Sequence, residues 1–240
     1  MVRRFRMIAG PNGSGKSTLV RQLREDYSVN FYDFLNADDI FASVRQTGTY
    51  TPRFPLTSEE LSDYAERSTY EDSVKAFFRS GSIWVDNDCV RFDPSSVNAY
   101  TIALFANCLQ ELAISRGESF SQETVFSHPS KVEALRRARE AGYRTYLYFV
   151  ATESERINLN RVANRHAQGG HDVPTAKVVE RYARSLAQVK NAMPFLSRAY
   201  FFDNSGRQMV YLGQYSEDEG FDFKLDAGRL PCWFHALGLQ

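Results

Sequence analysis

The chain has 240 residues, 43% of them hydrophobic, which suits one domain with a substantial core. Its 29 basic residues balance 29 acidic ones, so no global field draws it to nucleic acid or to an anionic membrane. Cys89, Cys108 and Cys232 are too few and too scattered for a disulfide framework and lack zinc-site spacing. The apolar stretch Met7 to Ala9 is too short for a secretory core, no run approaches a membrane span, and a cytoplasmic location is expected.

Short apolar strands alternate with helical stretches along the chain, the pattern of a mostly parallel sheet covered on both faces. The first strand is predicted over Arg4 to Ala9. It runs into Gly10-Pro11-Asn12-Gly13-Ser14-Gly15-Lys16-Ser17-Thr18, and a helix-compatible run, Leu19 to Arg24, follows. Asp33 to Asn36 reads as the end of a second strand, with Ala37-Asp38-Asp39 just past it. The stretch 44–92 holds polar turns (Thr47 to Pro55), a helical run (Ser58 to Phe78) and a candidate strand (Ser82 to Val85), and reads as an insertion or lid within a single domain spanning 1–240. Ser95 to Leu112 is predicted to be an amphipathic helix, with Val97, Tyr100, Leu104, Cys108 and Leu112 along one face.

A third strand is expected over Ser119 to Thr124, ending in Glu123-Thr124, and a helix over Pro129 to Ala141, closed by Gly142. The fourth strand, Thr145 to Val150, leads to Thr152-Glu153-Ser154-Glu155. This is a capping-box pattern for a helix that carries Arg161 and Arg165. After Gly169-Gly170-His171-Asp172, Pro174 opens another helix, with Val178, Tyr182, Leu186 and Val189 as its apolar stripe and Lys177, Arg181 and Arg184 on one flank. Ala199 to Phe202 completes five strands, Gln208 to Leu212 adds an extra one, and 214–240 is a C-terminal extension. Its apolar residues Leu230, Trp233, Phe234 and Leu237 are expected to bury against the chain's own core.

The G-x-x-x-x-G-K-S run between a strand and a helix is a phosphate-binding loop. Its glycines let successive backbone N–H groups face phosphate oxygens, and the positive end of the following helix adds to that attraction. Lys16 is assigned to the β- and γ-phosphates of ATP or GTP, and Ser17 to a Mg²⁺ ion, which prefers oxygen ligands. Such a loop identifies nucleotide binding but not what happens to the nucleotide. Asp38 is the candidate general base for an acceptor hydroxyl, with helix capping as the plain alternative, which is assigned to Asp39. Glu123 and Thr124 are candidate substrate contacts. Arg161 and Arg165, four residues apart, share a helix face that suits an anion, and the glycine pair beside them offers a hinge. His171 and Arg181 are expected to organise the same phosphate-facing element.

With those residues in place, the chain resembles the zeta toxin family of P-loop kinases, and more closely the bacterial branch often labelled predicted ABC-type ATPases. The matching features are Gly10 to Thr18, Asn36-Ala37-Asp38, Arg116 to Phe120 through Glu123-Thr124, Arg139 to Tyr143, Gly169 to Pro174 with Arg181-Tyr182 and Arg184-Ser185, and Asp203-Asn204-Ser205. The resemblance implies a three-layer P-loop kinase fold and ATP- and Mg²⁺-dependent transfer of a phosphoryl group to a small-molecule hydroxyl. UDP-N-acetylglucosamine is the family's acceptor, and an antitoxin protein is its partner. It also implies Asp38 as base, Glu123 and Thr124 as sugar-nucleotide contacts, and Arg161 and Arg165 as lid arginines. Glu123 and Thr124 are adjacent here, whereas the family usually separates them by one residue. A nucleotide hydrolase or switch acting on a protein partner is the rival, weakened because no Walker B-type strand is evident. A nucleic-acid kinase fits less well, since no basic stripe interleaved with aromatics is evident.

Overall fold

The computed structural model describes residues 2–67, 72–79, 81–168 and 173–239. In chain order the elements are β1 (Arg4–Ala9), α1 (Lys16–Glu25), β2 (Asp33–Leu35), α2 (Ala37–Thr47), β3 (Thr49–Tyr50), α3 (Ser58–Arg67), α4 (Asp72–Arg79), β4 (Ile83–Asp86), β5 (Cys89–Phe92) and α5 (Ala99–Arg116). There follow β6 (Phe120–Thr124), α6 (Ser130–Glu140), β7 (Arg144–Ala151), α7 (Glu155–Ala167), α8 (Thr175–Ala192), β8 (Arg198–Asp203), β9 (Val210–Ser216), β10 (Gly220–Phe223) and α9 (Cys232–His235). Two compact units emerge. The first comprises Met1–Tyr32 with Gly117–Gln240, and the second is Asp33–Arg116.

Within the first unit six strands lie in the order β10-β9-β8-β7-β1-β6. The strands β6, β1, β7 and β8 are parallel, as helical crossovers require, while β9 and β10 add antiparallel strands at the β8 edge. Beyond the predicted strands, among them the extra one at Gln208 to Leu212, the α/β sheet adds β10. β10 escapes a sequence reading because it is only Gly-Phe-Asp-Phe behind an acidic turn. Phe5, Met7, Phe120, Leu147, Phe149, Ala199 and Phe201 alternate onto a fully buried face. Phe5 stacks on Phe120 at 4.3 Å, and Tyr143 donates its hydroxyl to Glu118 O at 2.8 Å.

The capping box predicted at Thr152 does not form. Thr152 is fully buried, and its hydroxyl turns instead to Asn158 Oδ1 (2.5 Å) and Ser154 O (3.0 Å), so α7 starts at Glu155 without a side-chain cap. A true capping box occurs at α3, where Thr57 N–H donates to Glu60 Oε2 and Glu60 N–H to Thr57 Oγ1.

The second unit contains the stretch 44–92 and builds a three-stranded antiparallel sheet in the order β3-β5-β4. Ile102, Phe105, Cys108, Leu109 and Leu112 of α5 are buried, and Phe105 meets Tyr50 and Phe92 edge-on at 5.8 and 5.2 Å. The single stripe expected for this helix is corrected on two points. The helix begins at Ala99, so Val97 precedes it, and Tyr100 is exposed. Tyr64, Phe77 and Phe78 form a second aromatic cluster under α3 and α4.

The apolar tail docks on the first unit. Trp233 is 3% exposed and Phe234 fully buried; Phe234 meets Phe201 edge-on at 5.1 Å, and Trp233 Nε1 donates to Asp203 Oδ1 at 2.8 Å. Burial of an indole together with its hydrogen bond is a large stabilising term. Trp233→Ala is therefore expected to lower unfolding stability by about 3–5 kcal/mol in urea denaturation.

Candidate functional site

The strand β1 ends at Ala9, and the chain then turns through the glycine-rich loop into α1. Gly10, Gly13 and Gly15 all hold positive φ (152°, 76° and 99°). Each is also hemmed in by neighbouring chain. A Cβ on Gly10 would collide with Val150 O at the end of β7, and one on Gly13 would lie 2.6 Å from Asn158 O in α7. One on Gly15 would collide with the Asn204 amide. Three glycines are needed because three separate pieces of chain close on the loop.

Two of those pieces bind the loop or pack directly on it. Asn204 Nδ2 donates to Ser14 O at 2.8 Å, and Asn204 N–H donates to Ala151 O, which ties the loop to the ends of β7 and β8. From α7, Val162 packs beside Gly13 and is buried with Val173 and Val178 of the following segment. Tyr182 of α8 donates its hydroxyl to Thr152 O at 2.6 Å, and Ser185 Oγ donates to Val125 O.

Inside the loop, Lys16 is buried and its Nζ donates to Gly10 O (3.0 Å) and Pro11 O (3.1 Å). The ammonium is thus held over the loop in which phosphate oxygens would sit. Ser17 Oγ lies 3.3 and 3.4 Å from the two carboxylate oxygens of Glu123 and donates to them. Parallel register puts Glu123 beside Ile8, one residue before the end of β1, which explains how the end of β6 reaches the loop. Ser14 Oγ and Asn12 Oδ1 are buried without a hydrogen-bond partner among the described residues. Unsatisfied polar atoms in so confined a place carry a desolvation cost, which a polar ligand would relieve.

Arg161 follows from the same packing. Its Nη2 reaches Gly206 O at 3.4 Å, whereas its Nη1 is buried without a hydrogen-bond partner among the described residues. Arg165, one turn later, is exposed, and Arg181 on α8 is half-buried. The glycine pair, His171 and Asp172 lie outside the described residues. Thr124 accepts from Phe126 N–H through Oγ1 at 3.2 Å. In the second unit Asp38 is exposed in the first turn of α2, its N–H donating to the cap residue Asn36 at 3.0 Å. Burial raises the Asp33 carboxyl above the usual carboxylate range against the opposing charge of Arg53, and pushes Tyr50 up to about 12.

Sequence reasoning missed the bracing residues Asn158 and Thr152 and the pairing of Ser17 with Glu123. Asn204 carried a weak signal, as a small amide just past a parallel strand, where ligand sites of open α/β sheets form. Among the described residues no cluster of three or more His, Cys, Asp or Glu side chains is arranged to hold a metal. The oxygen-only pair of Ser17 and Glu123 nevertheless fits a magnesium ion that keeps most of its water. No helix among the described residues is long and apolar enough to cross a membrane.

A family profile described as AAA domain, AAA_33, matches residues 6–189. No curated protein matches the chain. Among solved structures, the complex of AvrRxo1-ORF1 and -ORF2 with ATP is similar at a TM-score of 0.54 and 14% identity, covering 93% of this chain and 61% of that one. The same complex with sulfate ions gives 0.53 at 15% identity, with the same coverage. A structure from the PezAT chromosomal toxin-antitoxin system of Streptococcus pneumoniae gives 0.48 at 16% identity, covering 93% and 75%. The chain thus spans about three-fifths of the length of the first structures it matches. At these identities the likeness is one of fold alone, an α/β domain with a phosphate-binding loop.

The amide of Asn204 holds Ser14 O in place, so Asn204→Ala should loosen the loop while leaving the core intact. Nucleotide affinity measured by calorimetry is expected to fall about tenfold, with little change in melting temperature.

Proposed function

Because the chain belongs to the AAA domain family, with a P-loop kinase-like fold, we propose that it is an ATP- and Mg²⁺-dependent kinase acting on a hydroxyl of a small molecule. A sugar nucleotide such as UDP-N-acetylglucosamine is the first acceptor to test. The observation that carries this reading is the packing of the arginine-bearing helix α7 directly on the phosphate loop, through Asn158 and Val162 against Gly13. A loop alone would serve a switch or a hydrolase equally well. A cationic helix resting on it adds the charge neutralisation that phosphoryl transfer uses.

In this reaction the acceptor oxygen bonds to the γ-phosphorus, the bond from that phosphorus to the bridging oxygen breaks, and ADP departs. Backbone N–H groups from Asn12 to Thr18 and the Lys16 ammonium hold the triphosphate. Ser17 and Glu123 would hold a magnesium ion, which would supply charge neutralisation for the phosphates. Pairing with Ser17 favours this duty for Glu123 over the sugar contact expected from the resemblance, and leaves Thr124 as the acceptor contact. Arg161, with a buried nitrogen that lacks a partner, takes charge on the transferring group, and Arg165 and Arg181 supplement it. Asp38, exposed at the start of α2, receives the acceptor proton. An antitoxin-type protein partner is part of the same proposal.

Incubating the enzyme with ATP, Mg²⁺ and a metabolite extract, followed by mass spectrometry, should yield a product heavier by one phosphate that Lys16→Ala abolishes. Asp38→Asn should slow formation of that product by about 10²–10⁴-fold. ATP hydrolysis that proceeds equally well without any acceptor would point to a hydrolase instead.

A further inference from the structure

The sheet of the first unit carries a second chemical surface that the kinase proposal does not use. Register places Arg4 beside Arg144, then Arg6, Tyr146 and Arg198 in one row, and Ile8, Tyr148 and Tyr200 in the next. Partners in register point to the same face, so β1, β7 and β8 present four arginines and three tyrosines together. Tyr32 joins them, accepting from Arg4 Nη1 at 3.3 Å. Arg144 and Arg198 are exposed, and Tyr146 and Tyr200 half-buried.

This cluster lacks negative charge. Six arginines elsewhere are paired with acids: Arg79 with Glu66, Arg91 with Asp86, Arg116 with Glu60, Arg136 with Glu133 and Glu140, Arg139 with Glu217, and Arg184 with Glu180. Among the described residues no carboxylate forms an ion pair with Arg4, Arg6, Arg144 or Arg198. Two carboxylates do share the sheet face. Glu123 accepts from Ser17, and Asp222 on the edge strand β10 is paired with Lys224 at 2.9 Å. Glu219 lies near enough to Arg198 only for a long-range attraction. Arg4 and Arg144 even stand directly opposite each other, an arrangement of like charges that destabilises a sheet.

We propose that this face docks an acidic segment of a partner protein, whose carboxylates take the place of the missing counter-charges. Nucleic acid is the other polyanion to consider, and the ring geometry disfavours it. Tyr148 and Tyr200 stack on each other at 4.8 Å, and the Arg6 guanidinium lies 5.1 Å from the ring centres of both Tyr32 and Tyr146. Ring faces that would stack bases are thus already engaged, and what remains to meet a partner is the exposed guanidiniums of Arg144 and Arg198, which hydrogen-bond carboxylates. Arginine and tyrosine are also the residue types enriched at protein interfaces.

The test uses the intact chain and fluorescence anisotropy with two labelled probes, an oligo-glutamate peptide and a single-stranded oligo-thymidylate. The peptide should bind saturably, and Arg144→Glu and Arg198→Glu should each weaken it on the order of tenfold. ATP affinity should stay unchanged, which separates this surface from the phosphate loop. Arg198→Gln, which removes charge without adding a carboxylate, should weaken the peptide by a smaller factor and guards against misfolding of the reversals. Absence of saturable peptide binding, binding indifferent to all three substitutions, or tighter binding of the oligo-thymidylate would each overturn the proposal.

Discussion

The structure turns on the close approach of three chain segments to a loop that can carry no side chain at Gly10, Gly13 or Gly15. The end of β7, the Asn158 turn of α7 and the Asn204 amide each fill the space that a Cβ would occupy. Backbone N–H groups can gather around an anion only if the loop is held in this bent form, and bending alone would leave it mobile. Packing from three sides supplies the rigidity, and glycine makes the packing sterically feasible.

The same constraint couples the site to the rest of the first unit. Asn204 follows β8, whose last residue, Asp203, accepts from Trp233 of the docked tail. Glu153, just past β7, donates its N–H to Ser205 Oγ and accepts from Cys232 N–H through its carboxylate. The C-terminal helix therefore braces the turn that braces the loop, although it is remote from the loop in sequence. Removing the tail would disturb nucleotide binding through this chain of contacts as well as through lost core volume. Arg161 is placed by the same means, since Val162 beside it is buried against Val173 and Val178.

Charge is distributed unevenly on this background of zero net charge. Some arginines on helices are neutralised by acids three or four residues away or by a neighbouring turn, as with Arg136 and Arg139. Arginines on β1, β7 and β8 are not, and they face a row of tyrosines. Net charge describes the far field of a protein, and a local surplus of this kind is visible only once strands are aligned side by side.

Much of the frame was legible in the residues themselves. Strand periodicity gave β1, β6, β7 and β8 to within a residue or two, and the glycine-lysine-serine run located the phosphate loop, because both signals are local. Long-range features were not legible. Thr152 has the spacing of a cap, yet its burial made Asn158 a better partner than a helix N–H. The pairing of Ser17 with Glu123 depends on parallel register between β1 and β6, and the short strand β10 exists only because β9 offers it an edge. Sequence by itself determined which residues could bend, carry charge or bury. Tertiary structure alone decided which of them meet, because register and packing bring together side chains separated by a hundred residues or more.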